Sequence, residues 1–221
     1  MVDAVMQDAR ASARIPGLVL IASGIAMIAL LAVHPHGNAK DFAALLREEA
    51  ATRGTDAIVH GGFILVLAMQ MACYAIFSLR LTEAMNASIA GLVFFCFGTA
   101  LLSGSTLIDG LALPAIAARY AAIPAKLEMA QTLYVFGGTM ISFLMPLGIG
   151  FQAAGIVAWS IGLLQTTRRP AGIAGVLIGP FALVATMAAL LRMNQMALMV
   201  GIVALALWAV VAGATMRASK A

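Results

Sequence analysis

The chain contains three histidines, His34, His36 and His60, and all of them bracket one short segment between the first two stretches long and apolar enough to cross a bilayer. In His34-Pro35-His36 the proline ring enforces an extended backbone around itself, so two imidazoles flank a rigid spacer. Counting along the third apolar stretch from Ser88 brings Asp109 to the same level after 21 residues, about 32 Å of helix. Three neutral imidazoles and one carboxylate suit zinc or copper, with iron also served, because borderline metals take nitrogen with one oxygen and can keep a position open for water. Heme is a lesser candidate. The metal ligands read from the sequence are therefore His34, His36, His60 and Asp109. Asp109 is alternatively a group that orients an imidazole from behind, and Ser105, one turn before it, is placed to cap that carboxylate or touch a substrate.

A carboxylate inside an apolar run is expensive and seldom idle, so Asp109 is also a candidate catalytic base. Glu128, followed by Gln131 and Thr132, is a second candidate proton acceptor, although a carboxylate at a helix start also suits the helix dipole. Ordinary structural roles stand beside these readings. Imidazoles at a membrane boundary commonly bond to loop carbonyls, and Asp109 has Arg53, Arg119 and Lys126 as prospective ion-pair partners.

These residues need elements to position them, and composition decides which. Of 221 residues 63% are hydrophobic and 10% charged, with a mean hydropathy of +1.03, which excludes an ordinary soluble domain. The reading is an all-α, polytopic integral membrane bundle forming one domain over 1–221, with room for about six spans of roughly 20 residues each. The alternating code of a membrane barrel is absent, and helices satisfy their own backbone in lipid. The apolar runs are Pro16 to Val33, Ile58 to Leu79, Ser88 to Ala118, Met129 to Leu164, Ala171 to Leu191 and Met196 to Met216. Asp3 and Asp8 ahead of the first run argue for a retained helix rather than a cleaved leader. Cys73 and Cys96 offer no disulfide framework, and fourteen methionines are dispersed as packing residues.

Charge gives the orientation. One face collects Arg10, Arg14, Arg80, Arg168, Arg169, Arg217 and Lys220 against Asp3, Asp8 and Glu83, and its tightest connection, Gln165 to Pro170, carries the double arginine. The positive-inside rule puts that face in the cytoplasm of a cell inner membrane, with both termini, and the histidines on the other side. A net charge of +4 then reflects topology anchors and not a nucleic-acid partner.

Three further features shape the outer side. The fourth run is 36 residues, about 54 Å, and overshoots a core of ~30 Å, with Met145 to Gly150 as the place for a kink or a re-entrant turn. The third run overshoots on the same side, which predicts a projecting hairpin joined around Tyr120 to Lys126. Between Lys40 and Thr52 a helical pattern of Phe42, Leu45 and Leu46 against charge predicts a short amphipathic helix in the first outer loop. Elsewhere, Gly175 and Gly179 have the small-xxx-small spacing of close helix contact, Gly179-Pro180 predicts a bend, and Gln70, Tyr74 and Gln152 predict bridges between helices.

Three histidines with one aspartate resemble, in residue type, the ligand set of the membrane zinc hydrolases related to alkaline ceramidases and adiponectin receptors. That family's HxxxH pair in the last span has no counterpart here, and the chain is not assigned to it. Three function classes stay open: a metal-bearing membrane protein, including a hydrolase acting on a lipid-like substrate; a small carrier or channel with broken helices; and a noncatalytic subunit. Expected partners are the bilayer, a lipid-like or small-molecule ligand, and a homo- or hetero-oligomer.

Overall fold

Helix is the conformation an apolar segment adopts when no solvent is present to hydrogen-bond its backbone, and among the described residues six helical stretches are long and apolar enough to cross a membrane: Arg14–Ala32, Phe42–Leu79, Thr82–Tyr120, Pro124–Leu164, Arg169–Leu191 and Met196–Ala218. The computed structural model describes residues 2–34, 39–192 and 195–218, and among them there is no strand. In chain order the helices are α1 (Val2–Ala32), α2 (Phe42–Leu79), α3 (Met85–Leu107), α4 (Leu113–Tyr120), α5 (Leu127–Leu164), α6 (Arg169–Arg192) and α7 (Gln195–Ala218). A π turn at Ile108–Ala112 joins α3 to α4, and the two make up one crossing.

The helices come in two lengths. α2 and α5 each have 38 residues, about 57 Å, nearly twice a hydrocarbon core of ~30 Å. α6 and α7 have 24 residues each, about 36 Å. The surplus of α2, α4 and α5 packs into a cap at one end, around buried Leu46, Ala117 and Ala130, with Phe42 set edge-on to Tyr134 at 5.5 Å. The projecting hairpin of the third and fourth spans thus has α2 as its third wall.

The segment 40–52 is helical, but it is not a separate loop helix. Asp41 caps α2 by accepting the Ala44 N–H at 2.7 Å, and the helix then continues unbroken to Leu79. No proline interrupts it, and isolated Gly54 costs only about 1 kcal/mol in a helix interior. Pro146 and Pro180 likewise lie inside continuous α5 and α6, so the run around Met145 to Gly150 is one helix and not a re-entrant pair.

The α2, α3 and α5 interface is aromatic and polar. Tyr74 stacks on Trp159 at 4.8 Å and packs on Phe95 at 4.4 Å. The Trp159 indole donates to the Ser78 hydroxyl at 2.9 Å, and the Gln152 amide donates to the Thr99 hydroxyl at 2.9 Å, bridging α5 to α2 and to α3. The α1 and α7 interface is built instead from small residues: a Cβ on Gly17 would meet the Gly213 carbonyl at 2.7 Å, and one on Gly24 the Ala206 carbonyl at 2.7 Å. Gly175 and Gly179 serve the contact their spacing predicts, with Trp208 and Val157 filling the space a side chain would need.

Candidate metal centre

Helix counting from the end of the bundle opposite the cap sets the level of the site. His34 lies 20 residues beyond Arg14, His60 lies 19 before Leu79, and Asp109 lies 24 beyond Met85, which is about 30, 29 and 36 Å of helix. All three stand roughly one hydrocarbon thickness from that end, beneath the cap.

At that level their side chains converge. The Nε2 atoms of His34 and His60 are 3.2 Å apart, and Asp109 Oδ2 lies 3.2 Å from His60 Nε2 and 3.9 Å from His34 Nε2. The imidazole rings meet edge to face with centroids 4.9 Å apart. His60 and its surroundings fix the chemistry. His60 Nδ1 is 2.8 Å from the Asp56 carbonyl, which can only accept, so Nδ1 carries the proton and donates. In the neutral ring Nε2 then accepts, and the three converging atoms are satisfied either by a proton on one of the two Nε2 atoms or by a cation among them.

The spacing suits a metal ion. Bonds of about 2.0–2.1 Å at the tetrahedral angle give ligand-to-ligand edges of roughly 3.3 Å, close to the distances observed. The three ligand atoms lie within 4.8 Å of one another, and His34, His60 and Asp109 form a group that could hold a metal ion. His60 is 6% exposed, whereas His34 and Asp109 are 31% and 33% exposed, which leaves an approach for a fourth ligand from that side.

Local sequence explains why these side chains meet. Pro114 has no N–H to give the Gly110 carbonyl four residues back, and its ring would crowd it. The ladder shifts instead, with the Leu113 N–H reaching Ile108 five residues back, and the resulting π turn carries Asp109. Gly110, next in the turn, faces His60 so closely that a Cβ there would fall on the ring atoms Cγ and Nδ1. The imidazole occupies the room a side chain would take. On α2, Thr52 donates to Asp56 Oδ2 at 2.8 Å, and Asp56 is 5% exposed, so a buried carboxylate and its carbonyl brace His60 one turn on. Glu49 sits in the shared field of Asp56, Asp109 and His60.

Of the residues singled out from sequence, His34, His60 and Asp109 are brought together, and His36 lies outside the described residues. Glu128 is exposed in the first turn of α5, nine residues or about 14 Å beyond Gly137, which packs on Ile108 and Leu113 at the level of the π turn. Ser105 is fully buried with its hydroxyl unpartnered and does not cap Asp109. Arg119 and Lys126 lie over the Tyr120 ring at 5.6 and 5.9 Å, up in the cap. Asp56, Glu49 and Gly110 were not singled out, yet Glu49, Thr52, Asp56 and His60 recur at helical spacing and form one stripe once loop and span are read as a single helix.

No protein-family model, curated protein or solved structure matches the chain. Its class is therefore defined by fold and site together: a helical chain with six membrane-spanning-capable helices and a group of two imidazoles and a carboxylate that could bind a metal.

Proposed function

We propose that this is a multi-pass membrane metalloprotein in which His34, His60 and Asp109 hold zinc or copper, His36 being the expected fourth protein ligand from the adjoining segment. The observation that carries the reading is the convergence of His60 Nε2, His34 Nε2 and Asp109 Oδ2 at 3.2–3.9 Å from one another, with His60 Nδ1 held by the Asp56 carbonyl. The positive-inside rule supports placing Arg80, Arg168 and Arg169 in the cytoplasm of an inner membrane, and hence the metal on the outer side.

The finer reading is a metal-dependent hydrolase. A metal held by His34, His60 and Asp109 would supply Lewis-acid activation of water for hydrolysis of an acyl ester or amide of a lipid-like substrate, with the Asp109 carboxylate as its oxygen ligand or, if His36 takes that place, as the group that accepts the proton. Leu133, Phe136, Met140 and Phe143 are exposed on one face of α5 at helical spacing, around the level where Gly137 packs on the π turn, as a lipid-facing surface requires. Glu128, exposed in the first turn of α5, is not among the proposed metal ligands, and E128Q serves as the control for metal retention. A carrier with broken helices draws no support from α5 and α6, which are continuous.

The test is metal analysis of the purified full chain. One equivalent of zinc or copper per chain is expected, lost in H60A and D109N and kept in E128Q. Protein without stoichiometric metal, or H60A that retains it, overturns the reading.

A further inference from the structure

Among the described residues the buried serines and threonines pair their hydroxyls, with one exception. Ser23, Thr106, Ser160 and Thr186 donate back to a carbonyl three or four residues earlier at 2.6–2.8 Å. Ser88 donates to the Ser78 carbonyl at 2.7 Å, and the Ser78 and Thr99 hydroxyls accept from Trp159 and Gln152. Ser105, 0% exposed, has no partner for its hydroxyl. A bond back to the preceding turn is the nearest way for a serine in a helix to satisfy its donor, and Ser105 does not make it. Alanine would fill the same position without an unpaired polar group, which is costly in a buried site.

The exception lies beside the histidines. Ser105 stands 20 residues beyond Met85, about 30 Å of helix, which is the level of His34 and His60. It precedes Asp109 by four residues, so the two share a helix face. Helical side chains lean toward the N-terminus, which tilts the Asp109 carboxylate over the turn that carries Ser105. Both contacts of Asp109 with the histidines run through Oδ2, leaving Oδ1 to a donor. His60 has its support in the Asp56 carbonyl. Carboxylates that ligate metals are likewise held by a hydrogen bond from behind, and the idle hydroxyl is one turn away.

We propose that Ser105 is the positioning residue of Asp109, a role that rests on the metal reading of His34, His60 and Asp109: when Oδ2 is drawn onto a cation, the Ser105 hydroxyl turns about its Cα–Cβ bond and donates to Oδ1, fixing the carboxylate as a one-oxygen ligand.

The metal-free full chain in detergent is titrated with zinc chloride and, separately, with copper(II) chloride, and the melting of the metal-free protein is followed alongside. Wild type should take up one equivalent. S105A should bind roughly tenfold more weakly, as expected when a group that holds a ligand is removed, while its metal-free form melts no lower than wild type, since the hydroxyl has no partner there. S160A, which loses a hydroxyl already bonded to the Ile156 carbonyl, should bind metal as wild type does. S105G also lacks the hydroxyl, covers an S105A that does not fold, and should show the same weakening per folded chain. Wild type that takes up neither metal overturns the metal reading and this role with it. Wild type that binds metal, with S105A or S105G binding equally well or S160A weakened to the same extent, overturns the role of Ser105 alone. A metal-free S105A that melts below wild type also overturns it, because the hydroxyl would then serve the fold.

Discussion

The α1 and α7 seam and the α2 and π-turn seam both depend on glycine, yet for opposite purposes. At Gly17 and Gly213 the missing side chain lets two backbones touch, and the space holds only packing. At Gly110 it admits the His60 ring. Small residues in membrane helices are ordinarily read as packing devices. What distinguishes the two seams is what fills the vacated volume, a carbonyl in one and an imidazole in the other.

Exchanging glycines tests that distinction. The largest effect is expected from G110A, whose methyl must push the His60 ring off its place. Metal affinity per folded chain should fall roughly 100-fold, the upper range for disturbing groups that orient a ligand, with an overpacking cost of about 1–3 kcal/mol of stability besides; equilibrium dialysis of the folded protein against zinc and copper measures the affinity. Next comes G213L at the other seam. Overpacking there should cost about 1–3 kcal/mol of stability, seen as a lower midpoint in denaturant, with metal per folded chain unchanged. A G213L protein that folds normally but loses metal would collapse the comparison. The smallest effect is expected for Q152L, which removes the bridge to Thr99 between the two regions. Interhelical side-chain bonds in membranes average about 0.6 kcal/mol, so its denaturant midpoint should move only slightly and its metal binding not at all. A large loss of metal in Q152L would extend the site into the bundle interior.

Much of the architecture was legible because lipid imposes simple arithmetic. Apolar run lengths give six spans, and a rise of 1.5 Å per residue places His34, His60 and Asp109 at one level. The supports of the site were less visible. Glu49 sits on a stretch that reads as a separate short helix and Asp56 on one that reads as loop, since a local pattern does not say whether a helix ends where its hydrophobicity falls. Asp109 reaches the histidines through a π turn whose only sequence mark is Pro114, a residue equally at home at a helix start. Glu128 stands next to the hairpin tip that the overshooting runs predict, in the first turn of α5.

The uninterrupted course of α2 has a consequence for what changes this protein tolerates. Asp41 starts it, and the cap contact of Leu46, the brace at Asp56, the candidate ligand His60 and the stacked Tyr74 follow along a single screw. One residue inserted or deleted between Asp56 and Tyr74 turns everything on one side of it by about 100° relative to the other. Substitutions on α2 act one position at a time, but a change of length there is a change of phase, and it uncouples the roof of the site from its floor in one step.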